Sequence, residues 1–326
     1  LGDRMSTDTH RTKATRKAVR QQEARRHANA AARRRTITRL LFAGGAALIV
    51  ALLAVGWLNR TDTGSGTGDA QALSTLQTAD KHSLAISPAD PKTVFFGHHG
   101  GIKKSTDGGR SWQDLDINQD AMGMAVSPKD PNRIYIAGHD VFAASSDGGK
   151  TWQPVTTNLP GTDIHGFAMS PSDPKHLYAL EARSGLFESR DGGTTWRALP
   201  GQAPQGVMAI AVVPGSPQTL LAGTMGQGVM RSTDGGRTWS SGARSLPGGS
   251  MSFATSPGSL GLVYSASSSG VYRSDDSGAN WRPVGLEGVQ IALVATAATN
   301  PKIIQAVDAD GHVYQSEDGG ASWGGS

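Results

Sequence analysis

Histidine and methionine are the residues of this 326-residue chain best suited to chemistry, and many of them recur at regular intervals. His82, Met122, His165, Met208, Met251 and Ile291 follow one another at steps of 40 to 43 residues. A second series runs through His98 and His99, His139 with Asp140, Glu181, Met225, Ser267 and Asp308. Imidazole and thioether donors together suit copper, which takes soft and borderline ligands. If the fold brings both series to one rim, His82, His98, His99, His139 and His165 are candidate metal ligands. His82, Met122, His165, Glu181 and Asp308 then line a ligand-binding mouth. His176 and His312 read as surface strand positions, and His10 and His27 fall in a basic arm.

A second chemistry to test is glycoside hydrolysis, which needs two carboxylates facing one another across the scissile bond. Glu181 and Asp308 are the pair placed for it. Cysteine is absent, which removes disulfides and thiolate sites from consideration.

The elements that must carry these side chains are announced by a second repeated stretch. The octapeptide S-x-D-x-G-x-[TS]-W occupies residues 105–112, 145–152, 189–196, 232–239, 274–281 and 316–323, with Asn280 replacing the hydroxyl residue in the fifth copy. Its aspartates, Asp107, Asp147, Asp191, Asp234, Asp276 and Asp318, are separated by 40, 44, 43, 42 and 42 residues. A period near 42 is the length of one four-stranded propeller blade. Within each copy the Asp can accept hydrogen bonds from turn N–H groups and from the Ser and Thr hydroxyls. Glycine supplies a positive φ. The closing Trp112, Trp152, Trp196, Trp239, Trp281 or Trp323 begins a strand, and its ring can cover the seam between blades. One carboxylate per turn, repeated round a rim, satisfies the turn and does not converge on a ligand.

On these residues the region from about 72 to 326 resembles the Asp-box (BNR) repeat proteins, a group that takes in sialidase-like propellers, sortilin-type receptors and photosystem II assembly factors. The resemblance implies an all-β, six-bladed β-propeller. It implies no single activity, because those families share a repeat and not a chemistry. A sialidase would need an arginine triad with one member in an F/Y-R-I-P motif, a Tyr–Glu nucleophile pair and an acid/base Asp. The motif is missing: the first repeat has His82-Ser83-Leu84 where it is expected. Tyr135, Tyr178, Tyr264, Tyr272 and Tyr314 occupy recurrent apolar strand positions, and Arg110, Arg197 and Arg237 lie in or beside the boxes.

Each repeat reads as four strands, with turns such as Ser87-Pro88 and Ser127-Pro128 after the first and a glycine-rich link after the second. Residues 72–77 fill a fourth-strand slot with no repeat of their own. They are expected to complete the sixth blade, which closes the ring and removes an open edge.

The charge is unevenly spread. Residues 1–60 hold 13 Lys or Arg against 3 acids, whereas residues 61–326 hold 18 against 24. The basic balance belongs to the N-terminal arm, and nucleic-acid binding by the repeats is not expected. Residues 1–39 form that arm, rich in Ala, Arg and Gln. Residues 40–58 are uncharged and long enough to span a bilayer as a helix. Arg33, Arg34, Arg35 and Arg39 precede them and only Arg60 follows closely, so the arm is expected in the cytoplasm and the repeats outside. Residues 59–71 are a flexible tether.

The sequence therefore reads as an N-terminal transmembrane helix followed by a propeller over 72–326. The leading functional reading is a non-catalytic module for a protein partner in or at the membrane. A copper-binding accessory protein and a sialidase-like hydrolase are the alternatives.

Overall fold

The computed structural model describes residues 70–216, 218–241 and 246–324, which fall in the unit Thr67–Ser326. The basic arm, the expected span 40–58 and nearly all of the tether lie outside the described residues. Among the described residues, no helix is long and apolar enough to cross a membrane.

The described chain folds as six four-stranded antiparallel sheets, an all-β six-bladed propeller. In blade 1 the strands run from the innermost outward as Ser83–Ile86, Val94–His98, Gly101–Ser105 and Gln113–Asp114. Blades 2 to 5 repeat this order. Blade 6 differs. Ile291–Thr296, Ile304–Asp308 and His312–Ser316 are joined by Ser74–Thr75, which pairs with Val313 and His312.

Burial follows position in the blade. Second strands are covered on both faces by neighbouring blades, so they read as apolar runs, without the polar alternation of a half-solvated sheet. Ile134 and Ile136 in blade 2 and Leu220 and Leu221 in blade 4 are fully buried. The short outer strands, such as Gln113–Asp114 and Gln153–Pro154, are exposed. The core is therefore a set of seams. One joins Phe95 and Ile102 of blade 1 to Ile134, Ile136 and Ala143 of blade 2. Another joins Phe96 of blade 1 to Leu293, Val307 and Val313 of blade 6, with Leu76 beside them.

Gly97 shows how close the blades stand. A Cβ there would lie 2.2 Å from Ser83 Oγ and 2.6 Å from the Ala121 carbonyl of blade 2. Ser83 Oγ itself donates to that carbonyl at 2.7 Å.

The octapeptide turns join the third and fourth strands. Asp147 Oδ1 accepts from Ser145 Oγ at 2.8 Å and from the N–H groups of Lys150 and Thr151 at 3.0 and 2.9 Å; Oδ2 accepts from Thr151 Oγ1 at 2.6 Å. Asp107 and Asp234 accept the same four bonds in their own turns. Each Trp packs in the seam with the preceding blade, Trp152 beside Phe95 and Ile102 for example. Its indole N–H donates to a turn carbonyl, as from Trp152 to Gly149 at 3.2 Å. The fifth turn is the exception: Ser277 adopts φ 63°, where the other copies have glycine, and the buried Trp281 Nε1 has no hydrogen-bond partner.

Candidate functional site at the histidine rim

Each first strand starts, and each second strand ends, on one face of the ring. The octapeptide turns and the Ser-Pro turns close the opposite face. Gly108 of the first turn, for instance, donates its N–H to the Lys92 carbonyl beside the hairpin after the first strand. The histidine rim and the aspartate turns therefore occupy opposite ends of the blades.

On the histidine face, blades 1 to 3 form an arc. His82 Nε2 lies 3.1 and 3.2 Å from the two ring nitrogens of His99. The His99 ring stacks near His139 at 5.7 Å between centroids, and His139 meets His165 edge-on at 5.2 Å. His99 and His139 are half-exposed, and His82 is mostly covered.

Three carboxylates interleave with these rings. Asp80 Oδ2 is 2.9 Å from His82 Nε2 and 2.9 Å from His99 Nδ1. Asp120 Oδ2 is 2.6 Å from His139 Nδ1, and Asp163 Oδ1 is 3.0 Å from His165 Nε2. The backbone fixes two of them: Asp80 Oδ2 accepts the His99 N–H at 2.7 Å, and Asp120 Oδ2 accepts the His139 N–H at 3.0 Å. Sequence reasoning missed all three. The signal was present as Asp-x-His at 80–82 and 163–165 and Asp-x-Met at 120–122, one repeat apart.

Burial lowers the pKa of His82, helped by the neighbouring His99 charge and opposed by Asp80. That ring is therefore biased towards the neutral form in which imidazole can act as a ligand.

The other candidate residues are distributed differently. His98 turns away from the arc: its ring stacks on Phe96 at 5.9 Å, and its Nδ1 accepts the Gly100 N–H. Met122 and Met251 are half-buried, while Met208 and Met225 of blade 4 are exposed. The groups within hydrogen-bonding reach of the rim imidazoles are carboxylates and other imidazoles, so the donor set is nitrogen and oxygen.

Glu181 and Asp308 are buried and occupied. Glu181 Oε2 accepts the Arg183 N–H at 3.1 Å. Asp308 accepts the N–H groups of Asp310 and His312, and it also contacts His312 Nδ1 at 2.9 Å and accepts the Tyr314 hydroxyl at 3.2 Å. Burial and the Asp308 charge push Tyr314 up to about 12, the opposite of what an activated phenolate requires.

His176 corrects the expectation of a surface position, being 4% exposed. Its Nε2 lies 2.9 Å from Glu188 Oε1, and its ring packs on Tyr178 at 4.8 Å. Arg190 and Arg197 bind the same Glu188 carboxylate from outside and cover the pair. Burial raises the Glu188 pKa, but these three partners outweigh it and hold the carboxyl below its usual value.

The octapeptide aspartates are held ionised by their turns. For Asp107, burial is the largest single influence and raises the pKa, but hydrogen bonds from Ser111, Ser105 and Arg110 together overcome it and bring the carboxyl to about 2. Asp191 and Asp318 also lie at about 2, chiefly through the Thr195 and Ser322 hydroxyls.

A cavity of about 200 Å³ occupies the central channel, lined by first-strand side chains such as Ile86, Val126, Phe167, Ile210, Phe253 and Val294. With prolines 88, 128, 171 and 257 also in its wall, it lies towards the turn face, away from the histidines.

These features define the class: a six-bladed β-propeller with a histidine–carboxylate arc on one rim. The family model described as Sortilin, neurotensin receptor 3, matches residues 139–264. No curated protein matches the chain. Among solved structures, an ancestral GH74 enzyme superposes with a TM-score of 0.52 at 20% identity, covering 77% of this chain and 38% of that one. The GH74 xyloglucanase from Xanthomonas campestris gives 0.52 at 19%, covering 78% and 46%. YCF48 bound to D1 peptide gives 0.51 at 18%, covering 82% and 87%. The chain thus spans less than half the length of these GH74 structures. At such identities the likeness is one of fold.

Proposed function

We propose that this propeller is a non-catalytic binding or assembly module, anchored by residues 40–58 with its ring outside the cytoplasm, that engages a protein partner at the histidine rim. The observation that carries the reading is the arc itself. Four imidazoles from three adjacent blades stand on one rim of a rigid scaffold, and His99 and His139 are half-exposed. Rigid blades that present variable rim residues suit recognition. The commitment of Glu181 and Asp308 to internal hydrogen bonds speaks against a hydrolytic pair. The structural likeness to YCF48, solved with a bound peptide, is in keeping with a protein ligand.

Site-specific photocrosslinking in the full chain, in its own membrane, tests this. A photoreactive residue at His139 should give one discrete protein adduct, and one at Thr151 on the opposite face should not. Adducts of equal yield from both positions, or none from His139, would sink the reading. Protease added to intact cells should digest the propeller loops and spare the arm; protection of the loops would invert the proposed orientation.

A further inference from the structure

We propose that Asp80, His82 and His99 form a site for one divalent transition-metal ion of the Zn2+ class, with a coordination position left open at the rim. This goes beyond partner recognition, because metal uptake is measured with no partner present.

The argument begins with spacing. The three donor atoms are Asp80 Oδ2, His82 Nε2 and His99 Nδ1, and their separations are 2.9, 2.9 and 3.2 Å. A tetrahedral ion with bonds of about 2.1 Å holds its ligand atoms roughly 3.4 Å apart. The triangle therefore matches one face of such a polyhedron in size, tighter by a few tenths of an ångström. Because His82 Nε2 is as near to His99 Nε2, at 3.1 Å, the His99 ring has to turn to aim its Nδ1 lone pair at the ion.

Protons serve this triangle poorly. Asp80 Oδ2 already accepts the backbone N–H of His99. If both rings also donated to that oxygen, two N–H groups would confront each other across the 3.2 Å gap between His82 and His99. A cation replaces both protons, and the half-exposed His99 ring has room to turn its nitrogen towards it.

The surroundings agree. The His99 amide holds the Asp80 carboxylate in place, the kind of outer-shell bond that orients metal ligands. Further along the arc, Asp120 Oδ1 is buried without a hydrogen-bond partner, so the rim has acceptor capacity that its N–H donors do not fill. Two imidazoles and a carboxylate favour a borderline divalent ion over Cu+, which prefers thioether and thiolate ligands. His99 is half-exposed, which leaves the remaining coordination position facing solvent.

The test is calorimetric titration of the chelator-stripped full chain with Zn2+ alone. One tight site per chain is expected. His99→Ala and Asp80→Asn should each weaken binding by at least about tenfold, the scale on which even outer-shell partners act. His98→Ala should leave affinity unchanged. His99→Ala removes a half-exposed ring, so its thermal melt should match the parent and separate lost binding from lost folding. Imidazole 15N resonances of His82 and His99 should shift on Zn2+ addition. Absence of Zn2+ uptake, or uptake that His99→Ala leaves intact, overturns the site. So does Cu+ uptake that survives His99→Ala and is lost in Met122→Ala, since that places the metal on thioethers.

Discussion

Ser74 and Trp112 join the two ends of the ring. Ser74, in the strand that completes blade 6, accepts the indole N–H of Trp112 at 3.1 Å, and Trp112 closes the first octapeptide of blade 1. The same Ser74 hydroxyl donates to the Gly109 carbonyl of that turn. A two-residue strand has few ladder bonds, so these side-chain bonds and the buried Leu76 behind it hold the closure.

Leu76→Ala should therefore behave as a core deletion and not as a frayed terminus. Leu76 is 3% exposed and packs with Phe96 and Val307 across the seam between blades 6 and 1. The expected loss is about 2–5 kcal/mol by urea denaturation. A change within error would show that the ring is held without this strand.

The fifth turn invites a stabilising change. Ser277 adopts φ 63°, a region costing an L-residue about 1–2 kcal/mol. Ser277→Gly removes that strain but adds about 0.5–1 kcal/mol of unfolded-state entropy. The net gain should fall between about 0 and 1.5 kcal/mol in a urea melt. A loss would mean that the Ser277 side chain makes a contribution of its own.

Asp147→Ala should lower the melting temperature and leave Zn2+ uptake at the rim unchanged. Four hydrogen bonds end on this carboxylate, and all lie within its own turn. Uptake lost without any change in the melt would assign these aspartates a role in binding.

Acid sensitivity follows from the same turns. The folded-state pKa values of Asp107, Asp191 and Asp318 lie at about 2, below the ordinary 3.8. A depressed carboxyl stabilises the fold fully above its unfolded value, and that contribution is lost as pH falls through the folded one. The urea midpoint should therefore drop between about pH 4 and pH 2, with a shallower drop in Asp318→Asn. A midpoint flat across that window would contradict the hydrogen-bond account.

The blades were legible because their turn chemistry is local: Asp, Gly and Trp at fixed offsets mark each blade without reference to its neighbours. The rim was only half legible. His98 and His99 are adjacent in sequence, yet strand alternation puts His98 on the same side as Phe96, where it stacks, and leaves His99 to the arc. Asp80, Asp120 and Asp163 gained their meaning only once the hairpins folded back beside them. The burial of His176 depends on Glu188, twelve residues away, and on two arginine side chains, one from the octapeptide turn and one from the fourth strand of its blade, which strand periodicity does not reveal.

Six near-identical blades would offer a visitor six interchangeable angles of approach. The imidazoles and carboxylates of blades 1 to 3, set against the exposed thioethers Met208 and Met225 of blade 4 and the self-contained Asp308 cluster of blade 6, abolish that rotational degeneracy. Anything seated on this rim has a single compass bearing, so a rotationally repetitive scaffold can orient its guest relative to the closure at Ser74.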